Sequence, residues 1–388
     1  MNTYRTYREN LMYRYLLLLV VASAIGFQGW RTLFNNYAVD VVGVNGFQIG
    51  VIQSVREIPG FLTFFVIYLL LVIKEHRFAA LSIVMLGGGV FMAGIFPSFG
   101  GLIFTTVVMS VGFHFFETTN QSLSLQYFDH TRIPRVLASF KSYGALTNIT
   151  VGAVIWGISH YLPMQDLFYL FGGILVLVGL FALTRDPVDK TKPPQQRKLI
   201  LRKKYWLFYT LNFLAGARRQ IFVVFAIFLL VEKYGFSVQH ITILFVLNNI
   251  MTFFLSPQVA KAIHRFGERT MLTVEYASLL LVFLGYGLIE DKNFATAMYL
   301  VDNLFFSFSI AINTYFQKKA DPKDIAPSMA VGFTINHIMA VIIPVFGGLL
   351  WMYNWRIPFI AGAGIALTSL IFAQFVKTPV AINKATDG

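Results

Sequence analysis

Residues 185–204 read RDPVDKTKPPQQRKLILRKK, and no other stretch of the 388-residue chain is as long and as polar. Pro187, Pro193 and Pro194 deny this stretch a continuous helix. On each side of it lie six apolar runs, each near the length of about 20 residues that crosses a bilayer as a helix. The runs before it are 14–36, 46–72, 78–96, 101–127, 138–159 and 165–184. Those after it are 205–231, 238–261, 270–289, 295–316, 328–352 and 356–376. The expected fold is an all-α membrane protein of twelve transmembrane helices in two pseudo-symmetric six-helix bundles, residues 1–184 and 205–388, joined by the linker 185–204.

Composition agrees. The chain is 56% hydrophobic and 13% charged, against about 25% charged residues in a typical soluble domain. Its net charge of +13 would suit nucleic acid in a soluble protein. Here the basic residues sit in short loops between apolar runs, so the excess reflects membrane topology and no nucleic-acid partner is expected. One side carries Arg5, Arg8, Arg14, Lys74, Arg77, Arg132, Arg135, the basic linker, Lys261, Arg265, Arg269, Lys318, Lys319, Lys323, Lys377 and Lys384. The other carries Lys233, Lys292 and Arg356. By the positive-inside rule both termini and the linker are cytoplasmic, and the chain is a multi-pass protein of the inner (cytoplasmic) membrane. Ala22-Ser23-Ala24 imitates a signal-peptidase site, but the helical pattern runs on to Asn36, so a first transmembrane helix is the reading.

There is no cysteine, hence no disulfide framework or thiolate metal site. No nucleophile constellation, metal-ligand spacing or nucleotide loop appears. Gly87-Gly88-Gly89 and Gly347-Gly348 lie mid-helix, where close helix packing explains them. Pro59 and Pro344 are expected to kink the second and eleventh helices. The chain is expected to be no enzyme, to need no cofactor and to work as a monomer. The two halves also look related: Asn120, Pro134 and Phe140 recur as Asn313, Pro327 and Phe333 at one offset, and Gly46-Phe47 has a weaker echo in Gly235-Phe236.

This layout resembles the major facilitator superfamily over the whole chain. That family carries a loop motif G-x-x-x-D-R-x-G-R between helices 2 and 3, with a degenerate copy between helices 8 and 9. Here the first loop, Lys74-Glu75-His76-Arg77-Phe78, departs from it. The second, Ala260 to Arg269, keeps Arg265, Gly267 and Arg269 and puts His264 in place of the acid. The resemblance implies secondary transport by alternating access, a loop motif that latches helix ends, and a central cavity lined by helices 1, 4, 7 and 10.

Charged groups at mid-bilayer are costly and face the protein interior. Gln28, Arg31 and Asn35 share one face of helix 1; Gln53, Arg56, Glu57 and Gly60 share one face of helix 2. Helix 4 has His114, Glu117 and Gln121, helix 5 Lys141 and Asn148, helix 7 Asn212, Arg218, Arg219 and Gln220, and helix 10 Asp302, Ser309 and Asn313. Each stripe has a structural use as well. Arg56 and Glu57 can pair with neighbouring helices, Lys141 can snorkel, Glu275 reads as a structural acid, His337 as a satisfied core histidine, and asparagines often bridge helices.

Arginine on helices 1 and 7, symmetry mates, suits an anion held from two sides, because guanidinium matches carboxylate or phosphate with paired hydrogen bonds. The placement is similar to that in the organophosphate antiporters of the superfamily. The expected substrate is therefore a small organic anion, coupled to protons or to a counter-anion. Arg31, Gln28, Asn35, Arg218, Arg219 and Asn313 are the candidate binding residues, with Trp30 and Tyr37 shaping the pocket. Glu117, Asp302, His114 and Glu57 are the candidate proton-coupling residues. The arginines could instead form gating pairs with Glu57, Glu117 or Asp302. The alternative function is a proton-driven exporter of amphiphilic or cationic drugs, with those acids facing the cation. A third, non-transporting reading as a sensor lacks any additional soluble domain to carry a signal.

Overall fold

The computed structural model describes residues 10–70, 72–128, 133–188, 201–321 and 324–377. Of the residues singled out above, Arg5, Arg8, Arg132, Lys323, Lys384 and linker residues 189–200 lie outside this set. The described residues form helices joined by short loops and turns, with no strand among them.

The apolar runs become α1 Leu11–Asn36, α2 Gly46–Phe61, α3 Glu75–Ile95, α4 Phe99–Tyr127, α5 Ile133–Ile158 and α6 Met164–Leu183. The second set begins with α7 Trp206–Gln220. Residues 238–288 form one hydrogen-bonded helix that Gly267, at φ 79°, breaks into α8 (238–266) and α9 (268–288). Only glycine takes that left-handed conformation without strain, so the break falls where the sequence places a loop. Then follow α10 Lys292–Phe306, α11 Ile325–Tyr353 and α12 Arg356–Ala373. Among the described residues, nine segments are long and apolar enough to cross a membrane on length and hydropathy alone, and Val238–Thr252 is a shorter apolar helix.

Local chemistry sets the helix ends. Asn10 caps α1 by accepting from the Met12 amide at 2.8 Å. Asn45 and Gln48 form a reciprocal capping box at α2. Ser98 and Asp291 cap α4 and α10. Pro59 lacks the amide an α-helix needs, and α2 gives way two residues later to the 3-10 turn Leu62–Phe65. Pro344, by contrast, lies inside a helix that runs on to Tyr353.

The first and seventh helices end alike. α1 widens into the π-turn Tyr37–Val42 and stops at Gly43, φ 73°. α7 passes through the π-turns Ile221–Ala226 and Leu229–Lys233, then reaches Gly235, φ 64°. Paired π-turns in corresponding helices add a structural element to the internal repeat, and such turns cluster at functional helices.

The described residues divide into two compact units. One holds the residues up to 188 with Ile227–Asn249 and Pro344–Leu349; the other holds those from 201 to Ala226, Ile250–Ile343 and those from Leu350 onward. In the first unit α3 packs between α4 and α6 through glycine. A Cβ on Gly89 would run into the Met109 backbone, one on Gly87 into the Gly172 carbonyl and Leu175, whereas Gly88 faces open space. The glycine run is thus a packing device, as read from the sequence. Gly112 on α4 is tighter still, since its Cβ would overlap the Leu86 amide and the Ser82 carbonyl of α3. Gly112→Val is expected to destabilise the protein by about 1–3 kcal/mol, the usual cost of overpacking. An unchanged melting temperature in detergent would refute this close approach.

The far ends of α7 and α8 and the middle of α11 complete the first unit. Asn36 Nδ2 donates to the Phe236 carbonyl at 2.7 Å, and Gln239 Nε2 to Ser159 Oγ at 3.0 Å. Gly50 lies against the Pro344 carbonyl, and Gly348 against that of Gly46.

The second unit packs around Phe208 of α7, whose ring stacks on Phe316 at 3.9 Å. Its α7 is anchored at the start by buried Asp324, which accepts from Tyr205 Oη at 2.9 Å and pairs with Arg202 Nε at 2.8 Å and Lys204 Nζ at 3.4 Å. Burial alone would push this carboxyl up, yet the Tyr205 and Arg202 hydrogen bonds and the neighbouring cations hold it below the ordinary carboxylate range.

Candidate transport site

In the first unit a cavity of about 200 Å³ opens between α1, α4 and α5. Val20, Ser23, Ala24 and Phe27 line it from α1, Phe113, Phe116 and Glu117 from α4, and Gly144 and Asn148 from α5. Phe27 and Phe113 stack at 4.3 Å between ring centroids, giving the cavity an aromatic wall. Glu117 is exposed to the cavity and has no ion-pair partner among the described residues. A carboxylate in a transmembrane helix without an ion-pair partner needs water, a proton or a ligand.

Arg31 follows Val20, Ala24 and Phe27 on the same face of α1, at i+11, i+7 and i+4. It is half-buried, and its guanidinium lies 4.3 Å from the Phe245 ring centroid. Gln28 donates to Thr32 Oγ1 within its own helix at 3.0 Å. Asn35 is 8% exposed, and its Oδ1 has no hydrogen bond.

Trp30 and Tyr37 do not line this cavity. Both are buried in helix packing, Trp30 stacked on Phe34 at 4.4 Å and Tyr37 edge-on to Phe168 at 5.0 Å. His114 Nδ1 sits 3.0 Å from both Ser110 Oγ and the Ser110 carbonyl, on the helix that carries Glu117. Glu57 is paired with its neighbour Arg56 at 2.5 Å, and Ser110 Oγ also donates to the Arg56 carbonyl. Lys141 is exposed.

In the second unit Arg218 is 3% exposed, and its Nη2 lies 3.5 Å from Glu275 Oε1. The same guanidinium stacks 4.2 Å from the Tyr276 ring centroid. Glu275 and Asp302 are both buried. Arg219 is half-buried and Asn313 exposed. Asn336 bridges α11 to the Asn212 carbonyl of α7 at 3.1 Å, and His337 Nδ1 lies 3.0 Å from the Phe333 carbonyl.

Two features escape sequence reading. Phe27, Phe113 and Phe116 are three of 40 phenylalanines, and nothing in the sequence marks them as cavity-lining. Glu275 reads as a lone structural acid because its arginine partner is 57 positions away; a charge in an otherwise apolar run was the available signal.

A polytopic helical protein with a small cavity at mid-helix and ionisable groups buried in its spans has the architecture of a secondary transporter. The model of the Major Facilitator Superfamily matches residues 16–344, and the chain belongs to that family. Its fold is similar to those of several solved transporters. One is the nucleoside transporter NupG, at 18% identity and TM-score 0.75, covering 94% of this chain and 98% of that one. Another is a bacterial homologue of the human lysosomal transporter Spinster, inward-facing and occupied, at 13% identity and TM-score 0.73, covering 96% and 97%. A third is a bacterial homologue of the iron transporter ferroportin, inward-facing, at 13% identity and TM-score 0.74, covering 94% and 98%. No curated protein matches the chain in sequence. At these identities the likeness is one of fold. The chain is a membrane transporter of the major facilitator type, not an enzyme, and its partners are a small-molecule substrate and the lipid bilayer.

Proposed function

We propose that the protein carries a small organic anion by alternating access, with proton movement at Glu117 driving the cycle. The observation that carries this reading is Glu117, open to a cavity within a transmembrane helix and free of any described ion pair. The cavity combines an aromatic wall at Phe27 and Phe113 for the apolar body of the solute with Ser23 and Asn148 for its polar groups. Arg31, one turn along the same face, supplies the cation for its carboxylate or phosphate. Arg219 and Asn313 are the binding groups proposed from the other half, with Gln28 and Asn35 beside Arg31. Arg218, engaged by Glu275, supports positioning more than direct binding. His114 tunes the proton on Glu117, while Glu57, held by Arg56, serves the first half as part of a fixed pair.

Residues 1–184 and 205–388 are the two moving bundles and 185–204 their linker, in an inner membrane with both termini cytoplasmic, the protein acting as a monomer. One observation favours a second reading: among the described residues Glu117 is the only charged side chain lining the cavity, which suits a lipophilic cation and hence a drug exporter.

Thermal stabilisation of the purified protein by small anions and by lipophilic cations separates the two, since a ligand of the folded state raises its melting temperature by mass action. An anion-induced shift is expected, and Arg31→Ala should weaken it by about 1.5–3 kcal/mol, roughly ten- to hundredfold in affinity. Shifts with cations alone, unaffected by Arg31→Ala, would replace the anion carrier by the exporter.

A further inference from the structure

The interior arginines are met in two ways. Arg56 faces Glu57 and Arg218 faces Glu275, so each has a carboxylate against it. Arg31 has none: among the described residues its guanidinium makes no hydrogen bond and no ion pair. What lies against it is the ring of Phe245 from α8, with the guanidinium carbon 4.3 Å over the ring centroid. Phe245 is 3% exposed and Arg31 half-buried, so the contact is partly desolvated, which strengthens attraction between a cation and a ring.

The first part of α8 is fixed in place around this ring. Gln239 Nε2 donates to Ser159 Oγ, just past the end of α5, at 3.0 Å. Val246, the residue after Phe245, packs where Gly152 of α5 has no side chain: a Cβ there would come within 2.9 Å of Val246 Cγ2. Ile241 and Leu244 of the same stretch are buried. These contacts set the height and rotation of α8, and with them the place of the Phe245 ring. An aromatic ring and a carboxylate hold a guanidinium differently. A carboxylate cancels the charge and takes up N–H groups. A ring attracts the cation through its quadrupole and leaves the charge and the five N–H donors available. A solute acid that approaches Arg31 therefore has no protein carboxylate to displace.

We infer that Phe245 is a positioning residue for anion recognition: its ring fixes the Arg31 guanidinium on the α1 face while leaving the donors to a carboxylate or phosphate. The inference rests on the anion reading of the cavity and adds to it a residue from α8. Phe245 is not itself a ligand of the solute; it acts through Arg31.

The test uses benzoate and phenyl phosphate, which carry a carboxylate and a phosphate on an apolar ring. Their dissociation constants are measured on detergent-purified protein in which Phe245 is replaced in turn by mono-, di- and trifluorinated phenylalanine. Fluorine draws electron density from the ring face and leaves its shape nearly unchanged, so a packing role alone would not register. The constants are expected to rise in step with fluorination, reaching roughly three- to thirtyfold for the trifluorinated ring, the span of a cation–π contact. In Arg31→Ala protein, where binding is already weakened, the same replacements should add no further loss. Melting temperatures without the probes should stay at the wild-type value. Constants that ignore fluorination while Arg31→Ala weakens binding would overturn the positioning role and leave the anion reading standing. No binding of either probe to the wild type, or binding that Arg31→Ala leaves unchanged, would remove the anion reading and this inference with it. Equal losses with and without Arg31 would mean that the ring touches the probe directly, which also overturns a role through Arg31. Should the trifluorinated protein fail to fold, the first two steps of the series decide.

Discussion

In proteoliposomes with an imposed pH gradient, Glu117→Gln is expected to abolish gradient-driven accumulation of the solute while leaving solute exchange across the membrane intact. A gradient of about one pH unit stores about 1.4 kcal/mol per proton, enough for roughly tenfold accumulation if one proton moves with each solute. Glutamine keeps the size and hydrogen-bonding reach of the side chain but cannot exchange a proton, so the cavity should still bind and turn over. Glu117 is the group on which this depends, because Glu57, the other candidate acid of the first half, is held by Arg56 at 2.5 Å. Retention of full gradient-driven accumulation by the variant would remove Glu117 from the coupling mechanism. Loss of exchange together with accumulation would show that it binds the solute instead.

Arg218→Ala is expected to lower the stability of the folded protein by about 3–5 kcal/mol, the cost of removing one partner from a buried ion pair. The physical reason is specific to this site. The guanidinium is 3% exposed and faces the fully buried Glu275 at 3.5 Å, where no solvent-exposed surface is left to replace it. Arg218→Lys keeps the charge but not the planar stacking on Tyr276, so its loss should be intermediate. The triple variant Arg218→Ala, Glu275→Gln, Asp302→Asn removes all three charges and should recover much of the deficit. Thermal melts in one detergent and lipid mixture measure the whole series. Equal melting temperatures for wild type and Arg218→Ala would mean that the buried charges are not coupled.

Hydropathy alone locates the helices of this chain. Each of the twelve apolar runs is a helical segment within a few residues of its expected limits, because a membrane span must satisfy its backbone internally and helices do so without reference to the rest of the fold. The break at Gly267 and the caps at Asn10, Asn45, Ser98 and Asp291 are equally local. Interior charge is legible too, since Arg31, Glu117, Arg218 and Asp302 stand out against apolar neighbours. What each charge faces is not local. The stripes on α1 and α4 mark polar faces, but only packing turns Phe27, Glu117 and Asn148 toward one cavity. Arg218 and Glu275 lie in different spans and meet through the side-by-side packing of α7 and α9, so the acid that reads as structural becomes the partner of an arginine that reads as a substrate ligand. Helix position and the presence of interior charge are one-dimensional properties of this chain, set by transfer energies residue by residue. Pairing, burial and cavity shape are three-dimensional ones, set by how helix faces rotate and approach, and those decide which of its charges can meet a solute and which are held by one another.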